Sequence, residues 1–234
     1  MGIPKNYSFL VTPALGVTEE HFSHAVASRV FEECVASLDD RFQTSSVVIQ
    51  AVDFRGKPAP ETVMFVRLRA RASNAPFDQI VELRGGTVVL LPVLSCEGVD
   101  YTILVIQPRI ASGNYELAEV PAGMLDNGQF RGVAAKELEE ELELVFSEDE
   151  LEELTKGEGV YFSPGLLDEQ ARFFLARREV TRQELAGLEG KATGLILESE
   201  KITLRVIKLA DLPYATRDGK SLIAYCLYGV RAGR

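Results

Sequence analysis

Two stretches rich in β-branched residues and leucine constrain the fold of this 234-residue chain more than any other feature. Residues 87–94 and 101–106 are apolar almost throughout, without the alternation of a half-exposed strand, which predicts strands buried on both faces of a sheet. Another strand is predicted at 79–83, and strand-like segments follow at 171–178 and 195–209. The sequence therefore predicts a central sheet within an α/β unit.

The first third of the chain has a different pattern. Residues 18–38 predict one helix, with Thr18 as its N-cap and apolar side chains four residues apart. Strand-like segments at 47–52 and 62–70 flank a turn-like sequence, which predicts a β-hairpin.

Two further helices are predicted in the last quarter of the chain. A capping box opens one at residues 182–188, and another runs from residue 221 towards 228. We therefore expect two parts: an N-terminal helix with an antiparallel β extension, residues 1–80, and an α/β domain, residues 81–234.

Acidic residues outnumber basic ones by 35 to 25, and one segment accounts for the difference. Residues 137–153 contain nine Glu and one Asp without Lys or Arg, so the rest of the chain is balanced. This charge argues against a nucleic-acid or anionic-membrane partner, which needs a basic face. No apolar run approaches the roughly 20 residues of a membrane helix. The wide spacing of Cys34, Cys96 and Cys226 favours reduced, buried thiols in a cytoplasmic protein.

The acidic segment begins within a predicted helix, residues 130–145. Glu137 and Glu141 lie one turn apart with Glu140 beside them, and like charges at such spacings cost about 0.2–0.5 kcal/mol per pair. A hard divalent cation such as Mg²⁺ turns this repulsion into binding, because it takes carboxylate oxygens as ligands. Spacing alone leaves a solvated acidic helix as the alternative, and the acids at 148–153 are interpreted as solvated surface.

The sequence around this helix resembles that of the Nudix hydrolases. Their signature is G-x5-E-x7-R-E-U-x-E-E-x-G-U, where U is apolar. Here Gly123 opens the signature and residues 136–144, KELEEELEL, fill its second half. Gln129 stands where Glu is usual, Lys136 replaces Arg and Glu143 replaces Gly, and one residue fewer separates the two halves.

The similarity extends beyond the signature. Residues 87–109 and 119–126, with the earlier hairpin and Arg84-Gly85-Gly86, resemble the plant-type ADP-sugar diphosphatases of this superfamily. The resemblance implies a Nudix fold of the α/β (α+β) class, an α/β/α sandwich with a central mixed sheet. It also implies that the N-terminal helix and hairpin precede this sandwich and that the β extension forms a homodimer.

The resemblance also implies an activity. Enzymes of this kind use Mg²⁺, with Mn²⁺ as a substitute, to hydrolyse the pyrophosphate bond of a nucleoside diphosphate sugar such as ADP-ribose or ADP-glucose. The products are a nucleoside monophosphate and a sugar phosphate.

The residues that correspond to the family's functional groups fall into three sets. The implied metal ligands are Glu137, Glu140, Glu141 and the carbonyl group of Ala122. The implied catalytic residues are Glu140 and Glu169, with Asp168 as a second choice in the same loop. The implied substrate-binding residues are Arg109, Arg84, Gln107 and Gly123.

Several alternatives remain open from the sequence. Arg109 and Arg84 fit structural ion pairs as well as phosphate contacts, and Glu169 fits an ordinary turn acid. Phe54, Phe77 or a tyrosine can stack on a base. The substrate can instead be UDP-glucose or a dinucleoside polyphosphate. The altered signature also suits a nucleotide-binding module that has lost catalysis.

Overall fold

The computed structural model describes most of the chain, namely residues 7–74, 77–125, 130–142, 144–193 and 202–233. The chain forms two compact units. The first comprises Met1–Gly86 and Tyr161–Gln170, and the second Thr87–Val160 and Ala171–Arg234. The boundary at residue 80 and the dimerisation role of the N-terminal part stay predictions. Within the described ranges, no helix has both the length and the apolar character needed to cross a membrane.

The first unit contains a four-stranded sheet and two helices. Its elements are β1 (Leu10–Pro13), α1 (Glu19–Val26), α2 (Arg29–Ser37), β2 (Thr44–Phe54), β3 (Val63–Ala72) and β4 (Gln79–Leu83). The strands follow the order β1-β2-β3-β4, with β1 parallel to β2 and the other pairs antiparallel. The predicted hairpin is confirmed as β2 and β3, whereas β1 was not predicted.

The single helix predicted for residues 18–38 is wrong, because two helices share this segment. Thr18 caps α1 as predicted, its side chain accepting a hydrogen bond from the His21 backbone amide at 3.1 Å. Ser28 is extended and caps α2, its hydroxyl accepting a hydrogen bond from the Phe31 backbone amide at 3.4 Å and donating one to the Ala25 carbonyl group at 2.6 Å. A capping serine competes with the helical backbone for hydrogen bonds, so the helix stops and restarts there.

The second unit contains a sheet of nine strands within the described residues. Its elements are β5 (Thr87–Cys96), β6 (Val99–Arg109), β7 (Asn114–Glu119), β8 (Ala122–Met124), α3 (Phe130–Leu142), β9 (Leu151–Glu153), β10 (Val160–Tyr161), β11 (Gln170–Glu179), α4 (Arg182–Leu188), β12 (Ala192–Thr193), β13 (Ile202–Lys208), α5 (Leu212–Ala215) and α6 (Gly219–Arg231). The main order is β10-β11-β5-β6-β13-β12, with β7, β8 and β9 added to β6, β5 and β11. Because β5 is parallel to β11 and antiparallel to β6, the sheet is mixed, as predicted.

Strand β5 lies at the centre of this unit, and every residue in it is buried. Val88, Leu90 and Leu94 join the apolar cluster that contains Leu138 and Leu142 of α3. The intervening side chains point to the opposite face, because side chains alternate along a strand. Helix α6 also packs against β5. The predicted mixed sheet with packed helices is confirmed.

Some predicted boundaries differ from the observed ones. Helix α3 ends at Leu142 instead of residue 145, and Val145 is 66% exposed. Glu143 and residues 195–201 of the predicted strand lie outside the described residues. Helix α4 matches its prediction, and the last helix is longer than predicted at both ends.

One surface prediction is confirmed with an exception, and another is corrected. Glu148, Asp149, Glu150 and Glu152 are exposed, and Glu150 and Glu152 form surface ion pairs with Arg178 and Arg231. Glu153 is the exception: it is half-buried and pairs with Arg172. The three cysteines are free, as expected, but only Cys96 is buried; Cys34 is half-buried and Cys226 is exposed.

Candidate active site

The loop before α3 is placed against the helix by a short strand pairing. Ala122 and Gly123 in β8 pair with Val89 and Val88 of β5. The carboxylate of Glu137 then lies directly beside Gly123, so that a Cβ on this glycine would be 1.9 Å from Glu137 Oε1. Only a residue without a side chain allows this approach. The opening glycine of the signature and a helix carboxylate are thereby brought together.

The other two helix carboxylates have different surroundings. Glu141 is only 6% exposed, and its carbonyl group accepts a hydrogen bond from Thr193 Oγ1 at 2.5 Å. A carboxylate this buried needs cations or hydrogen-bond donors nearby to stay ionised. Glu140 is less buried and pairs with Lys136 Nζ at 2.9 Å, one helical turn away.

These donors suit Mg²⁺, which prefers carboxylate and carbonyl oxygens. They do not form a ready-made cage: over the described part of the chain, no three His, Cys, Asp or Glu side chains converge as a metal site. Mg²⁺ commonly keeps several water ligands and uses only one or two protein carboxylates, so such a cage is not required. The residue types therefore fit the ion that the resemblance implies.

Two buried hydroxyl groups hold the strand that leads into the loop. Ser221 Oγ accepts a hydrogen bond from the Val120 backbone amide at 2.9 Å and donates to Asp218 at 2.6 Å. Thr216 Oγ1 donates to the Ala118 carbonyl group. Both hydroxyl-bearing residues are buried at the start of α6 or just before it. They fix the backbone immediately before Ala122 and Gly123.

The contacts that Arg172 and Arg131 make around the start of α3 were not predicted. Arg172 lies over the Phe130 ring, 4.2 Å from its centroid, and pairs with Glu153. Arg131 donates hydrogen bonds to the Glu148 and Leu151 carbonyl groups. These contacts tie the first turn of the helix to β9 and β11. Arg172 and Glu153 are nineteen residues apart, and no local sequence pattern connects them.

The predicted phosphate ligand Arg109 forms an ion pair in the second unit. Its Nε donates to Glu119 Oε2 at 2.7 Å, while its side chain stays 46% exposed. Burial raises the pKa of Glu119, and the Arg109 charge opposes that rise. Gln107 is half-buried on β6, where it pairs with Leu117 of β7.

Arg84 and Glu169 belong to the first unit and contact each other. Arg84 Nη1 lies 3.4 Å from Glu169 Oε2, and Glu169 is 4% exposed. Arg84 Nε is buried and has no hydrogen-bond partner in the described structure. Its guanidinium group also lies 6.0 Å from the centroid of the Phe65 ring. A buried, unsatisfied donor of this kind is suited to an incoming acceptor.

Comparison with known proteins decides the family. Over 243 residues the chain is 32% identical to Nudix hydrolase 14, chloroplastic, of Arabidopsis thaliana, and the match covers 95% of this chain and 77% of that protein. The chain belongs to the Nudix hydrolase family. A comparison with family models finds no match.

One solved structure supports the same fold. A crystal structure of an ADP compounds hydrolase has a TM-score of 0.50 and 15% identity, over 80% of this chain and 96% of that chain. A binary complex of a C. elegans Ap4A hydrolase has a TM-score of 0.44 and 14% identity, over 64% of this chain and 98% of that one. The fold comparison rests on the first structure.

Within this Nudix chain, two pairs of predicted site residues are in contact: Gly123 with Glu137, and Arg84 with Glu169. Arg109 instead contacts Glu119, which precedes the loop that carries Gly123, called the Nudix loop below. The altered Nudix position Gln129 lies outside the described residues. Of the proposed base platforms, Phe54 packs against the His21 ring at 5.0 Å, and Phe77 is 70% exposed.

Proposed function

We propose that this Nudix family member hydrolyses the pyrophosphate bond of a nucleoside diphosphate sugar of the ADP-ribose or ADP-glucose type. The observation that carries the proposal is the apposition of Gly123 and Glu137, with Glu140 and Glu141 on the same helix. This contact places the loop that carries Gly123 against the helix that carries all three carboxylates. One solved structure with this fold is named for ADP compounds, so ADP compounds are the first substrates to test.

In this proposal Glu137, Glu141, Glu140 and the Ala122 carbonyl group hold Mg²⁺, or Mn²⁺ in its place. The bound ion supplies positive charge that stabilises the negative charge developing on the pyrophosphate. Opening the Lys136–Glu140 pair costs little, because such helical pairs contribute about 0.3–0.5 kcal/mol. The binding of the ion therefore meets no strong competition from Lys136.

The remaining assigned residues act on substrate and water. Glu140 and Glu169 accept the proton of the attacking water or orient that water. Arg109 and Arg84 contact phosphate or ribose oxygens, for which guanidinium groups are well suited. The unsatisfied Arg84 Nε and the half-exposed Arg109 side chain leave donors for such contacts. Gln107 and the Gly123 backbone complete the set.

The test uses purified protein with ADP-ribose, ADP-glucose, UDP-glucose and diadenosine tetraphosphate, each with Mg²⁺ or with EDTA. We expect AMP and a sugar phosphate from an ADP-sugar, only in the presence of the metal. Hydrolysis in ¹⁸O-water then identifies the attacked phosphorus, because one product carries the label. Preference for UDP-glucose or the dinucleoside substrate would support the alternative substrate classes, and no turnover of any compound would contradict the proposal.

A nucleotide-binding module without catalysis is the second candidate. Its motivation is the altered signature, in which Gln129, Lys136 and Glu143 replace the usual Glu, Arg and Gly. Calorimetry with ADP-ribose separates the candidates. A module binds the nucleotide with an affinity that does not depend on Mg²⁺ and releases no product, whereas the enzyme consumes its ligand when Mg²⁺ is added.

Two further expectations accompany the proposed activity. The protein forms a homodimer through the N-terminal β extension, which a monomeric mass in solution at micromolar concentration would contradict. It works in a reducing compartment such as the cytoplasm, because its three cysteines are free. The named Arabidopsis relative is chloroplastic, so organelle fractionation is the relevant measurement.

A further inference from the structure

The loop that carries Glu169 is attached to the edge of β4 in the first unit. The Glu82 backbone amide donates to the Leu166 carbonyl group at 2.7 Å, and Leu167 forms a parallel bridge with Glu82. The amides of Leu166 and Leu167 both donate to the Ser163 carbonyl group, at 2.9 and 2.8 Å. This loop therefore has a defined backbone path before it reaches Asp168 and Glu169.

The Asp168 side chain adds a second attachment, at the turn that follows β4. Its Oδ1 accepts hydrogen bonds from the backbone amides of Arg84 and Gly85, at 2.8 and 3.2 Å. Its Oδ2 lies 3.3 Å from the Gly85 amide. Burial raises the pKa of Asp168, whereas these amides lower it. Hydrogen bonds to an ionised carboxylate are stronger than those between neutral groups, so the turn and the loop are tied together.

Asp168 is thus next to Glu169 in the chain and next to Arg84 in space. The side chains of Arg84 and Glu169 meet at 3.4 Å, and Glu169 is 4% exposed. A buried carboxylate paired with a guanidinium group has little freedom to reorient. Displacement of either backbone segment would separate this pair, and the Asp168 carboxylate, in the loop, is hydrogen-bonded to the turn that carries Arg84.

We propose that Asp168 is a positioning residue that sets the locations of Glu169 and Arg84 together, and that it does not itself accept the proton from water. The inference rests on the proposed function, in which Glu169 acts on water and Arg84 on substrate. Both Asp168 oxygens face backbone amides, which disfavours a direct role on water. Alanine in its place removes both acceptor oxygens, whereas asparagine would keep a carbonyl oxygen that can accept from both amides.

The experiment is a double-mutant cycle with ADP-ribose or whichever tested compound turns over fastest. Asp168→Ala should lower kcat about 10-fold or more and raise KM several-fold, because both Glu169 and Arg84 move. Glu169→Gln should lower kcat with little change in KM. Adding Asp168→Ala to Glu169→Gln should lower kcat no further, since Asp168 acts on kcat through Glu169. Asp53→Ala, at an exposed acid of the same unit, is the control and should match wild type.

Amide hydrogen exchange gives a second readout that is independent of catalysis. In Asp168→Ala the amides of Arg84 and Gly85 should exchange faster, while those within β4 keep their wild-type rates. Multiplicative kcat losses in the cycle, or unchanged exchange at residues 84 and 85, would overturn the inference. If the wild-type protein were inactive on every tested compound, this result would contradict the proposed function and, with it, the positioning role that rests on it.

Discussion

The Glu137 carboxylate occupies the space that a side chain on Gly123 would need, with Oε1 placed 1.9 Å from the position of an added Cβ. Gly123 lies in a strand and its φ is not positive, so alanine suits its backbone. Glycine is needed here because the Glu137 carboxylate fills the space of a side chain, and not because of the backbone conformation. The glycine at the start of the Nudix signature therefore makes room for an acid in its second half.

Gly123→Ala should displace Glu137 without unfolding the protein, because the clash is with the end of a flexible side chain. We expect a loss of activity of about 10- to 100-fold, the scale seen when the support of a metal ligand is disturbed. The melting temperature should change little. Gly132→Ala on α3 is the control, since its Cβ would meet only the Glu148 carboxylate, with Oε1 at 3.3 Å. Equal activity of the two variants would contradict the role assigned to Glu137.

Ser221→Ala should destabilise the second unit. Ser221 is fully buried and is the acceptor for the Val120 amide, which would lose its hydrogen bond. An unsatisfied buried donor costs about 1–3 kcal/mol, to be measured as the free energy of unfolding in urea. Ser112→Ala is the control, because Ser112 is exposed. If both variants matched wild type, the hydroxyl would not be holding the strand before the Nudix loop.

Glu150 should contribute stability that disappears in acid. The Ser147 backbone amide and the Arg178 guanidinium group lower its pKa from 4.5 to about 2. Because the folded pKa is the lower one, the contribution is complete above pH 4.5 and is lost as the pH falls towards about 2. Glu150→Gln should therefore be less stable than wild type at pH 7, and the difference should vanish near pH 2.

Thermal unfolding across this pH range checks the Glu150 prediction. The control is Glu158→Gln, which changes another exposed acid. A stability difference for Glu150→Gln that stayed constant from pH 7 to pH 2 would show that the charge of Glu150 is not its source.

The sequence predicted the features that depend on local pattern. The apolar run at 87–94 predicted β5, whose neighbours bury it on both faces, and the capping box at Thr181 predicted α4. The same local reasoning failed at Ser28, because apolar side chains continue at helical spacing across the break. The spacing of apolar residues indicates which face of both helices is buried. It does not indicate the break, which depends on the hydrogen bonds of the Ser28 hydroxyl.

Contacts between distant residues could not be predicted in this way. Asp168 binds the Arg84 amide across 84 positions, and Ser221 binds the Val120 amide across 101 positions. Arg109 was assigned to phosphate or to an ion pair, and strand register does not select its partner, because β7 places Asn114 opposite Arg109 while the ion pair is formed with Glu119. The site residues themselves were chosen by the Nudix resemblance, and their catalytic roles stay predictions.

The most direct test of the account compares two glutamates on α3. Glu141 is buried and assigned to the metal, whereas Glu139 is exposed and has no assigned role. The measurement is the rate of Mg²⁺-dependent ADP-ribose hydrolysis by Glu141→Gln and Glu139→Gln, with circular dichroism to verify folding. We predict that Glu141→Gln loses more than about 100-fold in activity, because losing a metal ligand should cost more than the 10- to 100-fold typical of residues that only support one. Glu139→Gln should keep wild-type activity. Equal rates in a folded Glu141→Gln variant and in wild type would contradict the account.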